Sequence, residues 1–177
     1  MNELKDFALI KHSLKGDQAA FSEIVRRYQA VVATTAVNML GNMEDAEEAG
    51  QQTFIRLYKS LKSFKGNSEL KTYITRICIN VCLSALKKRK KQRERIVSLD
   101  DHISNSLHDS KFEEDYENKE LVAIALSRLD VNSRTIINLR MIQGYSTRET
   151  AEILSIAEGT VLSRLKRAMD KLKRILK

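Results

Sequence analysis

The chain has 177 residues, 42% of them hydrophobic, with 31 Lys and Arg against 23 Asp and Glu and a formal net charge of +8. That length holds one domain or two small ones with compact cores, which excludes disorder throughout, and the cationic surplus favours polyanionic partners such as nucleic acid. No apolar run reaches the roughly 18 residues of a membrane span, and the N-terminus "MNELKDFALIKHSLKGD" lacks the apolar core of a signal peptide, so a cytoplasmic protein without membrane insertion is expected.

The first strong helical pattern begins at Asp17, a capping residue. Phe21, Ile24, Val25, Tyr28, Val31, Val32, Thr35 and Met39 follow at i, i+3 and i+4 spacing, and Gly41 supplies the stop. Asn42 caps the next helix, "MEDAEEAGQQTFIRLYKSL", whose acidic first turn suits the positive end of the helix dipole. "SFKGNS" breaks the pattern. A further helix starts near Ser68 and runs through "ELKTYITRICINVCLSALKKRKKQR" into seven cations within nine residues, Lys87 to Arg95. Such a block suits a solvated helix C-terminus as well as it suits phosphates. Cys78 and Cys82 stand four apart, a spacing that also fits two metal-bound thiolates. With no further Cys or His nearby in sequence, they read as small core hydrophobes, and neither metal nor cofactor is expected. His12, His102 and His108 are scattered in polar contexts and read as surface residues.

Charge is segregated along the chain: 18 Lys and Arg against 10 Asp and Glu over 1–97, 2 against 8 over 98–120, and 11 against 5 over 121–177. The acidic middle, "SLDDHISNSLHDSKFEEDYENKE", is poor in core-forming residues and reads as a linker, disordered when free. Leu99, Ile103 and Leu107 recur every fourth residue, a pattern that allows a helix on a partner. Beyond it "ELVAIALSRL" and "SRTIINLRMIQG" read as two short amphipathic helices, with Gly144 as a stop and a capping box between Ser146 and Glu149. The last pair has helix-turn-helix spacing: a short helix to Leu154, a turn at Ser155 to Ala157, and a longer helix from about Glu158. Ala151 is small where the second helix crosses, while Ile156, Val161 and Leu165 seal the junction. Thr160, Leu162, Ser163, Lys166 and Arg167 are left facing outward. Short polar residues with Lys and Arg on one helix face suit the major groove of duplex DNA. The expected fold class is all-α: two small helical domains, 1–97 and 118–177, joined by an acidic linker over 98–117.

Four segments in this order, "EDAEEAGQQTFIRLYKSL", "SFKGNSELKTYITRICINVCLSALKKRKK", the acidic linker and "ALSRLDVNSRTIINLRMIQGYSTRETAEILSIAEGTVLSRLKRA", resemble a bacterial RNA polymerase sigma factor of the extracytoplasmic-function group of the sigma-70 family. The resemblance covers nearly the whole chain. It implies a region 2 domain over 1–97 that binds core polymerase and opens the minus-ten element. It likewise implies a region 4 domain over 118–177 whose helix-turn-helix reads the minus-thirty-five element. Asp45, Glu48, Gln51 and Gln52 would dock on the clamp helices of the largest polymerase subunit, and region 4 would meet the flap region. A solvated acidic helix start is the plainer reading of that acidic face. Relatives usually carry bulky aliphatics where this chain has Ala49 and Gly50, which implies an altered dock.

At the minus-ten element the resemblance assigns Phe64 as an apolar wall, Lys65, Gly66 and Asn67 along the unpaired strand, Tyr73 for stacking where relatives carry Trp, and Asn80 for a base edge. Stacking and edge hydrogen bonds are how single strands are held. Tyr73 and Ile77 equally suit a helix core. Lys87, Lys88 and Arg89 would lie along duplex phosphates. At the minus-thirty-five element it assigns Arg140 near the backbone, then Thr160, Ser163, Lys166 and Arg167, with Arg164 either in contact or paired within its helix. Relatives often have Gly at Ser155, Ser at Ala157 and a basic or polar residue at Leu162, whose side chain suits a thymine methyl. The linker would thread a polymerase cleft or serve as a tether. An anti-sigma partner, often membrane-anchored in this family, is implied too. No phosphate-binding Gly loop, metal-ligand cluster or nucleophile and base pattern supports an enzyme. The rival reading is a helix-turn-helix regulator that binds operator DNA without polymerase.

Overall fold

The computed structural model describes residues 2–97 and 124–175. The linker over 98–117, with His102, His108 and the Leu99, Ile103 and Leu107 pattern, lies outside the described residues. Helices are the regular elements of the described residues, and no strand occurs among them.

Residues 2–97 form a four-helix body. α1 (Asn2–Ser13) is an element the periodicity reading does not include. It lies on α2 (Gln18–Leu40), where the buried Asp6 carboxylate accepts from Arg27 Nη1 at 2.9 Å and from the Tyr28 hydroxyl. Asp17 caps α2 by accepting from the Ala20 amide at 3.1 Å, and Gly41 ends it at φ 77, a left-handed conformation that costs a Cβ-free residue little. Asn42 caps α3 (Met43–Ser60) through the Asp45 amide at 2.8 Å, and a 3₁₀ turn over Leu61–Ser63 follows. α4 (Leu70–Val97) begins two residues later than the sequence suggests. The Glu69 carbonyl accepts the first helical bond, from the Tyr73 amide at 3.1 Å, so Glu69 holds the capping position. Ile24, Val32, Met39, Leu57, Leu61, Ile74 and Ile79 close the core between α2, α3 and α4. Cys78 and Cys82 are fully buried in that core, and the hydrogen bond with Cys78, reinforced by burial, pushes the Cys82 thiol up.

In the C-terminal part, residues 124–127 are helical and lead to α5 (Val131–Ile137), capped by Asp130 through the Ser133 amide at 3.0 Å. The Lys171 ammonium beside Asp130 holds that carboxyl well below the usual carboxylate range. α5 runs into a π-helical turn over Asn138–Ile142, closed by a bond from the Gln143 amide to the Asn138 carbonyl at 2.9 Å, a feature with no sequence signal. α6 (Thr147–Leu154) and α7 (Glu158–Ile175) complete the chain. Two small cores hold this part together: Leu126, Leu129, Ile137 and Ala168, and Ile136, Ala151 and Val161. The two parts also share a core. Leu139, Tyr145 and Ile153 pack into the cluster built on α2, α3 and α4.

Candidate nucleic-acid interface

Phe64 leaves the 3₁₀ turn in an extended conformation, and Gly66 follows at φ 72, so residues 65–67 are thrown outward and exposed. The Phe64 ring lies 5.0 Å, centroid to centroid, from Tyr73 in a tilted pair, and both rings are half-buried against the core. Tyr73 and Ile77 therefore do serve the core, while Tyr73 keeps part of its surface open. Asn80 is exposed seven residues on, two helical turns along the same face, and the exposed Arg76 lies between them. Arg76 is missed by the sequence reading, although its i+3 spacing from Tyr73 and i−4 spacing from Asn80 would have found it. Lys87 and Lys88, also exposed, continue along α4. The exposed Arg89 bonds the half-buried Asp45 at 2.9 Å, so this expected DNA contact and this expected polymerase contact touch each other.

On α3, Glu48, Gln51 and Gln52 are exposed and Asp45 is half-buried. Ile55, 45% exposed, extends the same face as an apolar member that the sequence reading does not include. A Cβ built on Gly50 would meet Val32 Cγ1 at 3.7 Å, an ordinary contact, so packing against α2 does not demand glycine there.

The helix-turn-helix is assembled as its residues dictate. Ser146 Oγ accepts from the Glu149 amide at 3.1 Å, and the Glu149 carboxylate accepts from the Ser146 amide at 2.8 Å. Those bonds hold the Glu149 carboxyl below its usual range. Ser155 turns the chain at φ 54 and is the one non-glycine residue with positive φ among the described residues. A left-handed conformation costs an L-residue about 1–2 kcal/mol, while glycine in the unfolded chain loses about 0.5–1 kcal/mol of that advantage. Ser155→Gly should therefore stabilise this domain by roughly 0.5–1 kcal/mol. A urea unfolding curve that fails to move to higher midpoint would contradict this.

Val161 is fully buried against Ile136 and Ala151, with Ile156 and Leu165 packed beside them, which fixes the rotation of α7. Leu162, Ser163, Lys166 and Arg167 are consequently exposed together, with Thr160 and Arg164 half-exposed at their margin. Arg164 has no ion pair among the described residues. Arg140 sits apart from this face. Its half-buried guanidinium donates to the Tyr145 carbonyl.

A cationic recognition helix braced by a capped partner, joined to a bundle with an aromatic-lined loop, defines a two-module DNA-binding protein. The family description Sigma-70 region 2 matches residues 24–92, and Sigma-70, region 4 matches residues 119–172. The chain is 31% identical to an ECF RNA polymerase sigma-E factor of Haemophilus influenzae, over 95% of this chain and 93% of that one. It is 29% identical to the ECF RNA polymerase sigma factor SigW of Bacillus subtilis, over 95% of each. Among solved structures, the sigma factor RpoE of Bartonella quintana, in complex with the anti-sigma factor NepR, aligns with TM-score 0.72 and 24% identity over 88% of this chain and 96% of that one. CnrH, in complex with the cytosolic domain of CnrY, aligns with TM-score 0.71 and 25% identity over 97% of each. The chain belongs to the extracytoplasmic-function sigma factors of the sigma-70 family, promoter-directing transcription initiation factors.

Proposed function

We propose that residues 1–97 bind core polymerase and open the minus-ten element, that 98–117 connect the modules, and that 118–177 read the minus-thirty-five element. The matched spans, 24–92 and 119–172, fall inside the two outer segments. The observation that carries the minus-ten assignment is the Phe64 and Tyr73 ring pair beside an exposed loop, with Arg76 and Asn80 on the same helix face. It offers an apolar wall, a cation and an amide within two turns, which is what an unstacked base and its phosphate require. Asp45, Glu48, Gln51, Gln52 and the exposed Ile55 form the polymerase dock, and the outer face of α7 enters the major groove. Arg140 supports that helix-turn-helix from behind through Tyr145 instead of facing phosphate first.

RNA synthesis itself belongs to the polymerase, so this chain performs no catalysis of its own. Its work beside polymerase places it in the cytoplasm, and no described helix is long and apolar enough to cross a membrane. RpoE was solved with an anti-sigma factor. An inhibitor of that kind is proposed for this chain as well.

Asn80→Ala should lower open-complex formation about tenfold, the loss of one well-placed amide contact to a base, while binding to core polymerase is unchanged. Permanganate reactivity of unpaired thymines at the minus-ten element measures the first and a fluorescence titration with core the second. Melting equal to wild type would remove Asn80 from the reading set.

A further inference from the structure

One ion pair joins the α3 face to the cationic end of α4. Asp45 stands in the first turn of α3, and Arg89 lies in the last third of α4. Thr53 of α3 is beside Cys78 of α4, so the two contacts run in opposite directions along the two helices. The helices are therefore antiparallel, and the acidic start of α3 meets the Lys87 to Arg95 block. Asp45 Oδ2 accepts from Arg89 Nη1 at 2.9 Å and from Asn42 Nδ2 at 2.8 Å. Asn42 Oδ1 in turn accepts from the Asp45 amide at 2.8 Å, which holds the carboxylate in place from its own helix. Arg89 thus takes its carboxylate from another helix, whereas Lys90 reaches Glu94 on its own helix at 3.8 Å.

Each member of the pair also belongs to a binding face. An oxygen that accepts from a guanidinium is not free for a cation on polymerase, and a guanidinium turned to a carboxylate is not free for phosphate. Whichever partner arrives first must break the pair, and the second then finds it already broken. Such an arrangement couples the two sites positively, by the same factor in both directions. The pair can open without moving the helices, because buried Leu57, Ile74 and Cys78 belong to the core that holds α3 and α4 together. With Arg89 exposed and Asp45 half-buried, the coupling is of the size of a surface ion pair, about twofold to fivefold.

We propose that the ion pair of Asp45 and Arg89 is a latch between the polymerase dock and the duplex-binding end of α4. In the free chain it occupies Asp45 and neutralises Arg89. Docking of Asp45 against basic groups of polymerase releases Arg89 to phosphate, and capture of Arg89 by phosphate releases Asp45 to polymerase. The proposal rests on the assignment of Asp45 to the dock and of Arg89 to duplex DNA given above. Lys87 and Lys88 are exposed beside the latch and meet phosphate whether it is open or closed, so the coupling runs through Arg89.

The latch predicts that removing either member improves binding at the other's site, which a merely structural contact does not do. Arg89→Gln in the full chain should weaken binding to a duplex of the sequence upstream of the minus-ten element. It should also tighten binding to core polymerase without DNA by about twofold to fivefold, because Asp45 is set free. Asp45→Asn should weaken core binding, yet the chain alone should hold the same duplex about twofold to fivefold more tightly. Its slope of log affinity against log salt should steepen by about one unit, for the one cation released. At saturating core that advantage on DNA should vanish, since the pair is then already open. Lys88→Gln and Glu44→Gln make the same changes of charge on exposed neighbours and should give neither gain. Fluorescence anisotropy of labelled duplex and a fluorescence titration with core measure every arm, and helical circular dichroism confirms that the variants are folded. Both losses without the gains, or gains matched by the Lys88 and Glu44 controls, would overturn the latch and leave the two assignments standing. Absence of the losses as well would overturn the assignments and the latch together.

Discussion

Replacing Arg134 with alanine is expected to destabilise region 4 by about 3 kcal/mol, the largest structural effect of any single polar side chain here. Its guanidinium fork donates to four backbone carbonyls: Leu126 at 2.9 Å, Ser127 at 3.0 Å, Leu129 at 3.2 Å and Met39 at 2.8 Å. Two of these, Leu126 and Ser127, lie in the helical segment over 124–127, Leu129 follows it, and Met39 belongs to α2. Burial lowers the Arg134 pKa from the ordinary arginine value, because the charge has left water for carbonyl dipoles. Hydrogen bonds to a charged group contribute about 1.5–3 kcal/mol each, and they share one ion, so the sum falls well short of four separate terms. Arg134→Lys keeps the charge but reaches fewer carbonyls from a single nitrogen, and should recover less than half of the loss. Urea unfolding of the full chain, followed by helical circular dichroism, measures both. A loss under about 1 kcal/mol for alanine would show that water replaces the fork without penalty.

Removing Lys166 and Arg167 together should cut initiation at promoters that depend on the minus-thirty-five element by tenfold to a hundredfold, with no change in fold. Both side chains are exposed on α7, and the one described bond of Arg167 is a long one, Nε to the Ser163 carbonyl at 3.3 Å. Substitution at such positions shifts stability by about 0.5 kcal/mol at most. In the groove, each cation would supply a base-edge or phosphate contact of about 1–3 kcal/mol, which sets the expected loss. The slope of log affinity against log salt for a minus-thirty-five duplex should flatten by about two units, one for each phosphate-neutralising charge removed. A promoter read through its minus-ten element alone should be nearly indifferent to the change. Equal losses at both promoter types would mean that these residues support the fold or the polymerase contact and not the upstream element.

Much of this was written locally in the sequence. Asp17, Gly41, Asn42, Ser146 and Glu149 cap or stop the helices that the chain order suggests, because a cap needs only three or four consecutive residues to form. The helix-turn-helix was legible for the same reason: Ala151 and Val161 meet across a three-residue turn. What the sequence does not carry is contact across long separations. α1 is held by Asp6 reaching Arg27 and Tyr28, and the modules are joined through pairs such as Thr75 and Tyr145, seventy residues apart. Neither has a periodic signature, since a threonine or tyrosine on a helix face has the same spacing whether it meets water or another domain. Arg140 illustrates the consequence. The resemblance places it near the DNA backbone, and only the fold reveals that its guanidinium donates to the Tyr145 carbonyl. The outward residues of α7 were legible because exposed positions follow directly from which residues are buried. Those on α4 were harder to sort, because its first half is covered on two sides, by the α2 and α3 core and by α6.

The most direct test of the account is to add the purified chain to core RNA polymerase with a supercoiled library of genomic fragments and to map the 5′ ends of the transcripts. The account predicts new start sites behind a shared pair of upstream elements, with the upstream member losing its influence when Lys166 and Arg167 are removed. No new start sites, together with firm and specific binding of duplex DNA by the chain alone, would contradict it.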